Sequence, residues 1–212
     1  MRHTPRVIVI GAGIGGLAAA VDLARHGLDV TVLERAAMPG GKMRELPVDG
    51  VAIDAGPTVF TMRWIFESLF DAAGTSLEAQ LDLVPAQVLA RHAWRAGGAL
   101  DLYADVARSA EAIGELAGAA DARGYLEFCQ RSAAVYRTLQ DCFIARSRPT
   151  LPQLVRRVGL ARLDALWQLS PMQTLWTALG SHFRDPRLRQ LFGRYATYCG
   201  SSPFLAPATL MR

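Results

Sequence analysis

Three glycines near the N-terminus have the spacing of a phosphate-binding turn. Gly11, Gly13 and Gly16 form the pattern G-x-G-x-x-G, and Gly15 lies inside it. In such a turn the first glycine permits a tight bend, the second lets the backbone approach a pyrophosphate, and the third lets a helix pack on a strand. The first N–H groups of that helix and its partial positive charge then face the phosphates. The spacing therefore predicts a dinucleotide-binding site.

The segments around these glycines supply the elements that such a turn requires. Residues 6–10 are predicted to form a short buried strand, and residues 17–26 a helix that Gly27 caps. Residues 29–34 are predicted to form a second strand. A strand, a glycine-rich turn, a helix and a second strand together make the βαβ unit of a Rossmann-like domain.

An acidic residue closes the second predicted strand. Glu34 lies 18 residues after Gly16, where a carboxylate is expected to accept hydrogen bonds from the adenosine ribose. A carboxylate at this position disfavours the 2′-phosphate of NADP, although Arg35 next to it weakens that argument. Both residues are included in the predicted cofactor site.

A second glycine pair precedes the only lysine of the chain. Gly40 and Gly41 are followed directly by Lys42. One interpretation is a second approach of the backbone to the cofactor, with Lys42 near its phosphates or its ribityl chain. The alternative is an ordinary Pro-Gly-Gly turn with a solvated lysine.

The next segment is predicted to be a hairpin followed by a loop. Asp49 and Gly50 are typical of a two-residue turn between strands at residues 46–48 and 51–53. A glycine-centred loop follows before the next helix, and its central residues are Gly56, Pro57 and Thr58.

Together these motifs resemble the amine oxidase and carotenoid desaturase superfamily of FAD enzymes. The details are most similar to bacterial carotenoid desaturases, and residues 56–74 and 183–210 resemble the hydroxyneurosporene (1-hydroxycarotenoid 3,4-) desaturase branch. Lys42 stands where many members have arginine, which keeps the charge. The resemblance implies that FAD is the cofactor. The predicted cofactor-binding residues are Gly11, Gly13, Gly15, Gly16, Glu34, Arg35, Gly40, Gly41, Lys42, Gly56, Pro57 and Thr58.

The same resemblance implies the fold class and the domain organisation. We expect an α/β protein with an incomplete Rossmann-like FAD-binding βαβ domain at residues 1–75. A mainly helical substrate or cap region with a few strands is expected at residues 76–212. Members of the superfamily are about twice as long or more, which implies that this chain is an N-terminal fragment. Expressed alone, it is expected to aggregate, to retain negligible FAD and to be inactive.

Apolar periodicity and capping residues predict the elements of the second region. They comprise a helix over residues 62–73 ended by Gly74, strands at residues 81–85, 88–94 and 99–103, a long helix over residues 122–145, and helices that start at Ser170-Pro171 and Asp185-Pro186.

The implied reaction is desaturation of a carotenoid, such as a 1-hydroxy- or 1-methoxycarotenoid. The alternatives are phytoene desaturation, oxidation of an amine or another apolar molecule by a sibling flavoenzyme, and a nucleotide-binding module without turnover.

The sequence shows no paired carboxylates, Ser-His-Asp set or metal cluster, so no catalytic residue is assigned. Arg63 and Arg194 are conceivable contacts to a substrate hydroxyl, or ion-pair partners. The dispersed histidines are expected to be surface or hydrogen-bonded structural residues.

Composition limits the partners and the compartment. In this chain of 212 residues, 51% are hydrophobic and 20% charged, which excludes a disordered chain. The arginines are scattered, which argues against nucleic-acid binding. Three cysteines far apart in sequence indicate a reducing, cytoplasmic compartment.

No segment reaches the roughly 20 apolar residues of a membrane-spanning helix. The basic residues 146–162 either lie on anionic lipid or form a solvated helix, so membrane contact would be peripheral, on the cytoplasmic face. The oligomeric state is not predicted.

Overall fold

Two compact units make up the protein. The computed structural model describes residues 4–57, 59–140, 144–145, 150, 153 and 173–208. The units are Met1–Val84 and Pro85–Arg212, and each is treated by itself below. The division into functional domains at residues 1–75 and 76–212 stays a prediction.

The first unit contains both strands and helices, whereas helices dominate the second. The described elements of the first unit are β1 (Arg6–Ile10), α1 (Ile14–Arg25), β2 (Asp29–Leu33), β3 (Glu45–Val48), β4 (Val51–Asp54), α2 (Arg63–Ala72) and α3 (Leu77–Gln80). Those of the second unit are β5 (Val88–Ala93), β6 (Ala99–Tyr103), α4 (Val106–Ala117), α5 (Ala119–Leu139), α6 (Leu175–His182), α7 (Pro186–Gly193) and a 3-10 helix (Arg194–Cys199).

The first three elements form the predicted βαβ unit. Strands β1 and β2 pair in parallel, with Arg6 opposite Asp29 and Ile10 opposite Leu33. Helix α1 begins three residues earlier than predicted, because the extended residue Gly13 is its N-cap. It ends at Arg25, one residue before the predicted end, and Gly27 follows with a φ of +82°, a left-handed conformation that favours glycine. The predicted Rossmann-like βαβ arrangement is confirmed.

The predicted hairpin is confirmed as well. Strands β3 and β4 are antiparallel, with Val48 opposite Val51. Both residues of the turn have positive φ, +50° at Asp49 and +82° at Gly50. This combination is typical of a type I′ turn, whose twist matches that of the flanking strands.

An aromatic cluster lies in the core of the second unit. The rings of Phe183 and Phe192 stack with centroids 4.9 Å apart, and Phe128 lies 5.0 Å from Phe192. Aromatic pairs at these distances contribute both buried area and favourable ring geometry. The fully buried side chains around them include Ile113, Leu175, Leu179 and Leu188.

In the region after α2, one predicted strand is wrong and one helix was not predicted. Residues 81–85 form no strand, because the Leu81 N–H donates to the Leu77 carbonyl of α3 (2.9 Å). Strands β5 and β6 pair only with each other among the described residues, which leaves a strand at 81–85 without a partner. Helix α4 was not predicted, although the sequence marks its start: the Asp105 carboxylate accepts from the Arg108 N–H (2.9 Å).

The predictions for the starts of the two helices near the C-terminus differ in their outcome. Helix α6 starts at Leu175, and the hydroxyl of its N-cap Thr174 accepts from the Thr177 N–H (3.2 Å). The predicted start at Ser170-Pro171 lies outside the described residues. Helix α7 starts as predicted, with Asp185 as N-cap and Pro186 in its first turn. The long helix α5 spans Ala119–Leu139, so it starts three residues before the predicted position.

A close crossing of α5 and α6 gives a test of the second unit. A Cβ added at Gly124 would lie 1.8 Å from the His182 carbonyl oxygen, so we expect Gly124→Ala to destabilise the protein by about 1–3 kcal/mol or more. Gly114→Ala is the matched control, because its Cβ would meet only the Ala122 methyl at 3.6 Å. That change should be neutral or stabilising by up to about 1 kcal/mol. Thermal unfolding followed by circular dichroism measures both, and equal midpoints would contradict the close crossing.

Candidate dinucleotide-binding site

The glycine-rich turn is held by the backbone of Ala12. This residue is buried, its N–H donates to the Glu34 carboxylate (2.7 Å), and its carbonyl accepts from the Gly40 N–H (2.8 Å). Gly11 before it has a φ of +99° and donates its N–H to the Leu33 carbonyl (2.7 Å). Hydrogen bonds from the turn to the end of β2 and to the second glycine pair therefore set its shape.

Gly16 permits the close packing of α1 on the turn. A Cβ built at this position would lie 1.9 Å from the Gly11 carbonyl oxygen and 3.5 Å from the Val9 side chain. Gly15 is different, since a Cβ there would meet nothing within 4 Å. The close approach of α1 to the turn thus agrees with the packing role predicted for Gly16, whereas Gly15 is not required for packing.

The start of α1 has the free donors of an anion-binding helix terminus. Its N-cap, Gly13, supplies no side-chain hydrogen bond, and the helix has no acidic residue in its first turn. The first N–H groups of a helix lack partners within the helix and carry a partial positive charge. An incoming phosphate would satisfy them.

The Glu34 carboxylate is exposed at the end of β2. One oxygen accepts from the Ala36 N–H (2.8 Å) and the other from the Ala12 N–H (2.7 Å). Both hydrogen bonds lower the pKa of Glu34, and the bond from Ala36 has the larger effect. The positive charge of Arg35 acts in the same direction. The carboxylate is therefore ionised at neutral pH, and its bonds are lost only as the pH falls through the lowered pKa. Each oxygen can accept a further hydrogen bond.

The second glycine pair packs against the first glycine motif. Gly13 and Gly40 form a parallel bridge, and a Cβ at Gly41 would lie 3.1 Å from the Cα of Gly13. Both glycines of the pair have positive φ, +122° at Gly40 and +62° at Gly41. Residues far apart in the sequence thus meet at one backbone contact that a side chain at Gly41 would crowd.

Two neighbouring cavities lie beside this contact. The larger, about 750 Å³, is lined mainly by Met38, Pro39, Met43 and Pro47 with polar groups from Arg44, Glu45 and Asp54. The smaller, about 340 Å³, is lined by Gly41, Lys42, Arg44, Ala55, Gly56 and Pro57. The structure thus brings the predicted residues Gly41, Gly56 and Pro57 to both cavities and Lys42 to the smaller one. Thr58 lies outside the described residues, and Arg35 lines neither cavity.

Two residues of this site were not assigned from the sequence. Ala12 lies between Gly11 and Gly13, and its small side chain at that position is the feature of the sequence that could have indicated its role. Arg44 lines both cavities, but nothing in the sequence around it distinguishes it from the other arginines of the chain. Its carbonyl accepts from the Ala55 N–H (2.8 Å), which places it beside the loop at Gly56.

The remaining candidate polar residues have other surroundings. Arg63 forms ion pairs with Glu67 and Glu78, as one of its two interpretations predicted. The interpretation of the histidines holds for His26, which is exposed and whose Nδ1 lies 2.7 Å from the Asp22 carbonyl oxygen. It is wrong for two others: Nε2 of His92 and both ring nitrogens of His182 are buried without a hydrogen-bond partner in the described structure. Burial lowers the pKa of both rings, which keeps them neutral at pH 7. Within the described ranges, no cluster of three or more His, Cys, Asp or Glu residues could hold a metal.

Comparison with known proteins agrees with the geometry. Residues 9–72 match the family described as the NAD(P)-binding Rossmann-like domain. The structure is similar to putrescine oxidase bound to putrescine, with a TM-score of 0.56 at 18% identity over 98% of this chain and 41% of that one. The predicted α/β fold class is confirmed, and a dinucleotide cofactor is supported.

Relatives identified by sequence are carotenoid desaturases. This chain is 56% identical to hydroxyneurosporene desaturase of Rubrivivax gelatinosus over 99% of its own length and 40% of the relative's. It is 44% identical to the hydroxyneurosporene desaturase of Cereibacter sphaeroides over 97% of this chain and 41% of that relative. A zeta-carotene-forming phytoene desaturase of Myxococcus xanthus is 32% identical over 96% of this chain and 38% of its own length. The chain thus spans about two fifths of the length of these relatives, and it is more similar to the two hydroxyneurosporene desaturases than to this phytoene desaturase.

Proposed function

We propose that this chain supplies the cofactor-binding unit and part of the substrate region of an FAD-dependent carotenoid desaturase. The observation that carries the proposal is the 56% identity to a hydroxyneurosporene desaturase, which extends over 99% of this chain. The favoured substrate is therefore a hydroxylated carotenoid.

The residues of the site fit FAD. The first N–H groups of α1 are free to donate to a diphosphate, and Gly13 leaves room for the approach, since a Cβ there would have its nearest neighbour at 4.0 Å. Glu34 can accept from ribose hydroxyls. When bound, FAD would supply the acceptor for a hydride equivalent from one carbon of the polyene, while a proton is lost from the neighbouring carbon and the bond between them becomes double.

The contribution of this chain to that reaction is binding and exclusion of water. The backbone of residues 11–16 and the Glu34 carboxylate would orient the nucleotide half of the cofactor. The larger cavity, with its Met and Pro lining, offers an apolar environment beside it. No side chain of the described structure is assigned to proton transfer.

We also propose that the protein acts at the cytoplasmic face of a membrane, because a carotenoid dissolves in lipid. Among the described residues no helix is long and apolar enough to cross a bilayer. The basic residues 146–162, one candidate for lipid contact, lie almost entirely outside the described ranges. Co-sedimentation with vesicles of anionic phospholipid tests this proposal, and equal sedimentation without vesicles would refute it.

The experiment on function uses a chimera in which this chain replaces the matching part of the Rubrivivax gelatinosus relative. We expect the purified chimera to contain FAD and to desaturate a 1-hydroxycarotenoid. Glu34→Ala should weaken FAD binding about tenfold to a hundredfold, because charge-assisted hydrogen bonds to the ribose are lost. Flavin fluorescence titration measures the dissociation constant.

The matched control for this test is Glu78→Ala. Glu78 is an exposed carboxylate of the same unit that pairs with Arg63. Its loss should leave the FAD dissociation constant unchanged. A chimera that folds but binds no FAD would refute the proposed function, and an unchanged constant in Glu34→Ala would show that this carboxylate does not contact the ribose.

A further inference from the structure

A separate cavity of about 640 Å³ lies within the second unit, between α6, α7 and the turn that follows the 3-10 helix. Its apolar lining consists of Trp176, Pro186, Pro203 and Phe204. The ring centroids of Trp176 and Phe204 lie 4.8 Å apart. Binding pockets for small molecules have volumes of about 300–1,000 Å³ and mostly apolar walls with a few polar groups. This second-unit cavity has both properties.

The polar side chains at the second-unit cavity are Arg187, Gln190 and Arg194, and no carboxylate is among its lining residues. Arg187 already has partners within the unit. Its guanidinium pairs with Asp185 (2.7 Å) and donates to the Leu116 carbonyl (3.1 Å). Gln190 and Arg194 are therefore the side chains to consider for a ligand.

Trp94 sets the orientation of the Gln190 amide. The indole N–H of Trp94 donates to Oε1 of Gln190 (2.9 Å). An indole can only donate, so the amide oxygen must face Trp94 and the amide nitrogen must face away from it. The two N–H groups on Nε2 have no hydrogen-bond partner among the described residues. Gln190 therefore offers donors to the second-unit cavity.

The guanidinium of Arg194 carries an uncompensated charge. Arg194 is exposed, and it belongs to none of the ion pairs in the described part of the chain. Burial, and after it the charge of Arg194, lowers the pKa of His92, which shows that no carboxylate cancels this charge nearby. Of the two interpretations that the sequence left for Arg194, the ion pair is not found among the described residues.

We propose that the second-unit cavity binds the hydroxylated end of the substrate, where Gln190 and Arg194 donate hydrogen bonds to the hydroxyl oxygen. Trp176 and Phe204 would pack against the adjoining hydrocarbon chain. This inference rests on the proposed function and adds the residues that distinguish a hydroxylated carotenoid from a hydrocarbon. A hydrocarbon in the same place would cover two donors without satisfying them, and a site built for a hydroxyl group rejects such a ligand for this reason.

The experiment measures the dissociation constants of the chimera for hydroxyneurosporene and for neurosporene, which lacks the hydroxyl group. Quenching of tryptophan fluorescence in detergent solution reports both. We expect Gln190→Glu and Arg194→Gln each to weaken binding of hydroxyneurosporene about tenfold or more and to leave neurosporene binding unchanged. Gln190→Glu keeps an oxygen for the Trp94 N–H, so its effect comes from the lost donors.

The matched control is Arg184→Gln. Arg184 is an exposed cation of the same unit that is absent from the lining of the second-unit cavity. Its replacement should change neither dissociation constant. Arg194→Lys keeps the charge and should restore part of the affinity that Arg194→Gln loses.

The other outcomes overturn the inference. Equal losses for both carotenoids would mean that Gln190 and Arg194 maintain the shape of the cavity and do not recognise oxygen. If the variants weaken binding of oleate but not of hydroxyneurosporene, the cavity takes an anionic lipid instead. If the unaltered chimera neither binds nor desaturates a carotenoid, the proposed function and this inference fail together. Normal turnover with unchanged binding in both variants removes this inference alone.

Discussion

Gly16→Ala is expected to prevent the nucleotide-binding unit from folding normally. The new Cβ would lie 1.9 Å from the carbonyl oxygen of Gly11, a residue that is held in place because its N–H donates to the Leu33 carbonyl. Neither the turn nor α1 can move without breaking the contact between helix and strand. Overpacking of this kind costs about 1–3 kcal/mol and sometimes more. We expect loss of flavin, a lower midpoint of thermal unfolding, and faster hydrogen exchange at the β1 amides.

The control for this prediction is the neighbouring Gly15. A Cβ there would meet nothing within 4 Å, so Gly15→Ala should raise stability by up to about 1 kcal/mol through the helix propensity of alanine. The comparison is made in the chimera by hydrogen exchange and thermal unfolding. Equal behaviour of the two variants would show that α1 does not pack against the turn as described.

Gly13→Val is expected to remove the cofactor while leaving the fold intact. Gly13 has a φ of −74°, which valine adopts without strain, and the nearest atom to an added Cβ is the Gly41 Cα at 4.0 Å. The two methyl groups of valine would extend into the space that the diphosphate needs at the start of α1. We expect the chimera to purify colourless, with far-ultraviolet circular dichroism unchanged.

Gly114→Ala, a helix glycine of the other unit, is the control for flavin content and should purify with a normal flavin spectrum. A yellow Gly13→Val protein with full flavin occupancy would sink the assignment of the glycine-rich turn to the cofactor. A colourless protein that has also lost its circular dichroism would show that the fold was disturbed instead, and Gly13→Ala then repeats the test with a smaller side chain.

Elements with local signals could be predicted from the sequence. Strand β1 was predicted with its observed bounds, the hairpin at Asp49-Gly50 was predicted from its turn residues, and α7 from its Asp185-Pro186 start. In each case residues close together in the chain favour the strand, turn or helix and also mark where it begins or ends. The same local pattern led from the glycine spacing to a dinucleotide site.

Errors arose where a partner decides the structure. Residues 81–85 have the apolar composition of a strand, yet a strand forms only where another strand accepts its hydrogen bonds. Helix α6 starts at Leu175, after the N-cap Thr174, which also bridges to Pro207. In the described structure, Nε2 of His92 and both ring nitrogens of His182 are buried without hydrogen bonds because of what packs around them, which the spacing of the histidines does not show.

By itself the sequence determined the βαβ unit, the glycine-rich turn and the acidic residue at the end of β2. These depend on backbone preferences and on contacts between residues close in the chain. Only the tertiary structure decided that the turn and the second glycine pair meet, that Glu34 binds the Ala12 and Ala36 N–H groups, and that Arg44 reaches both cavities. The physical reason is that charge balance and close backbone approach are properties of neighbours in space, which one chain position does not encode.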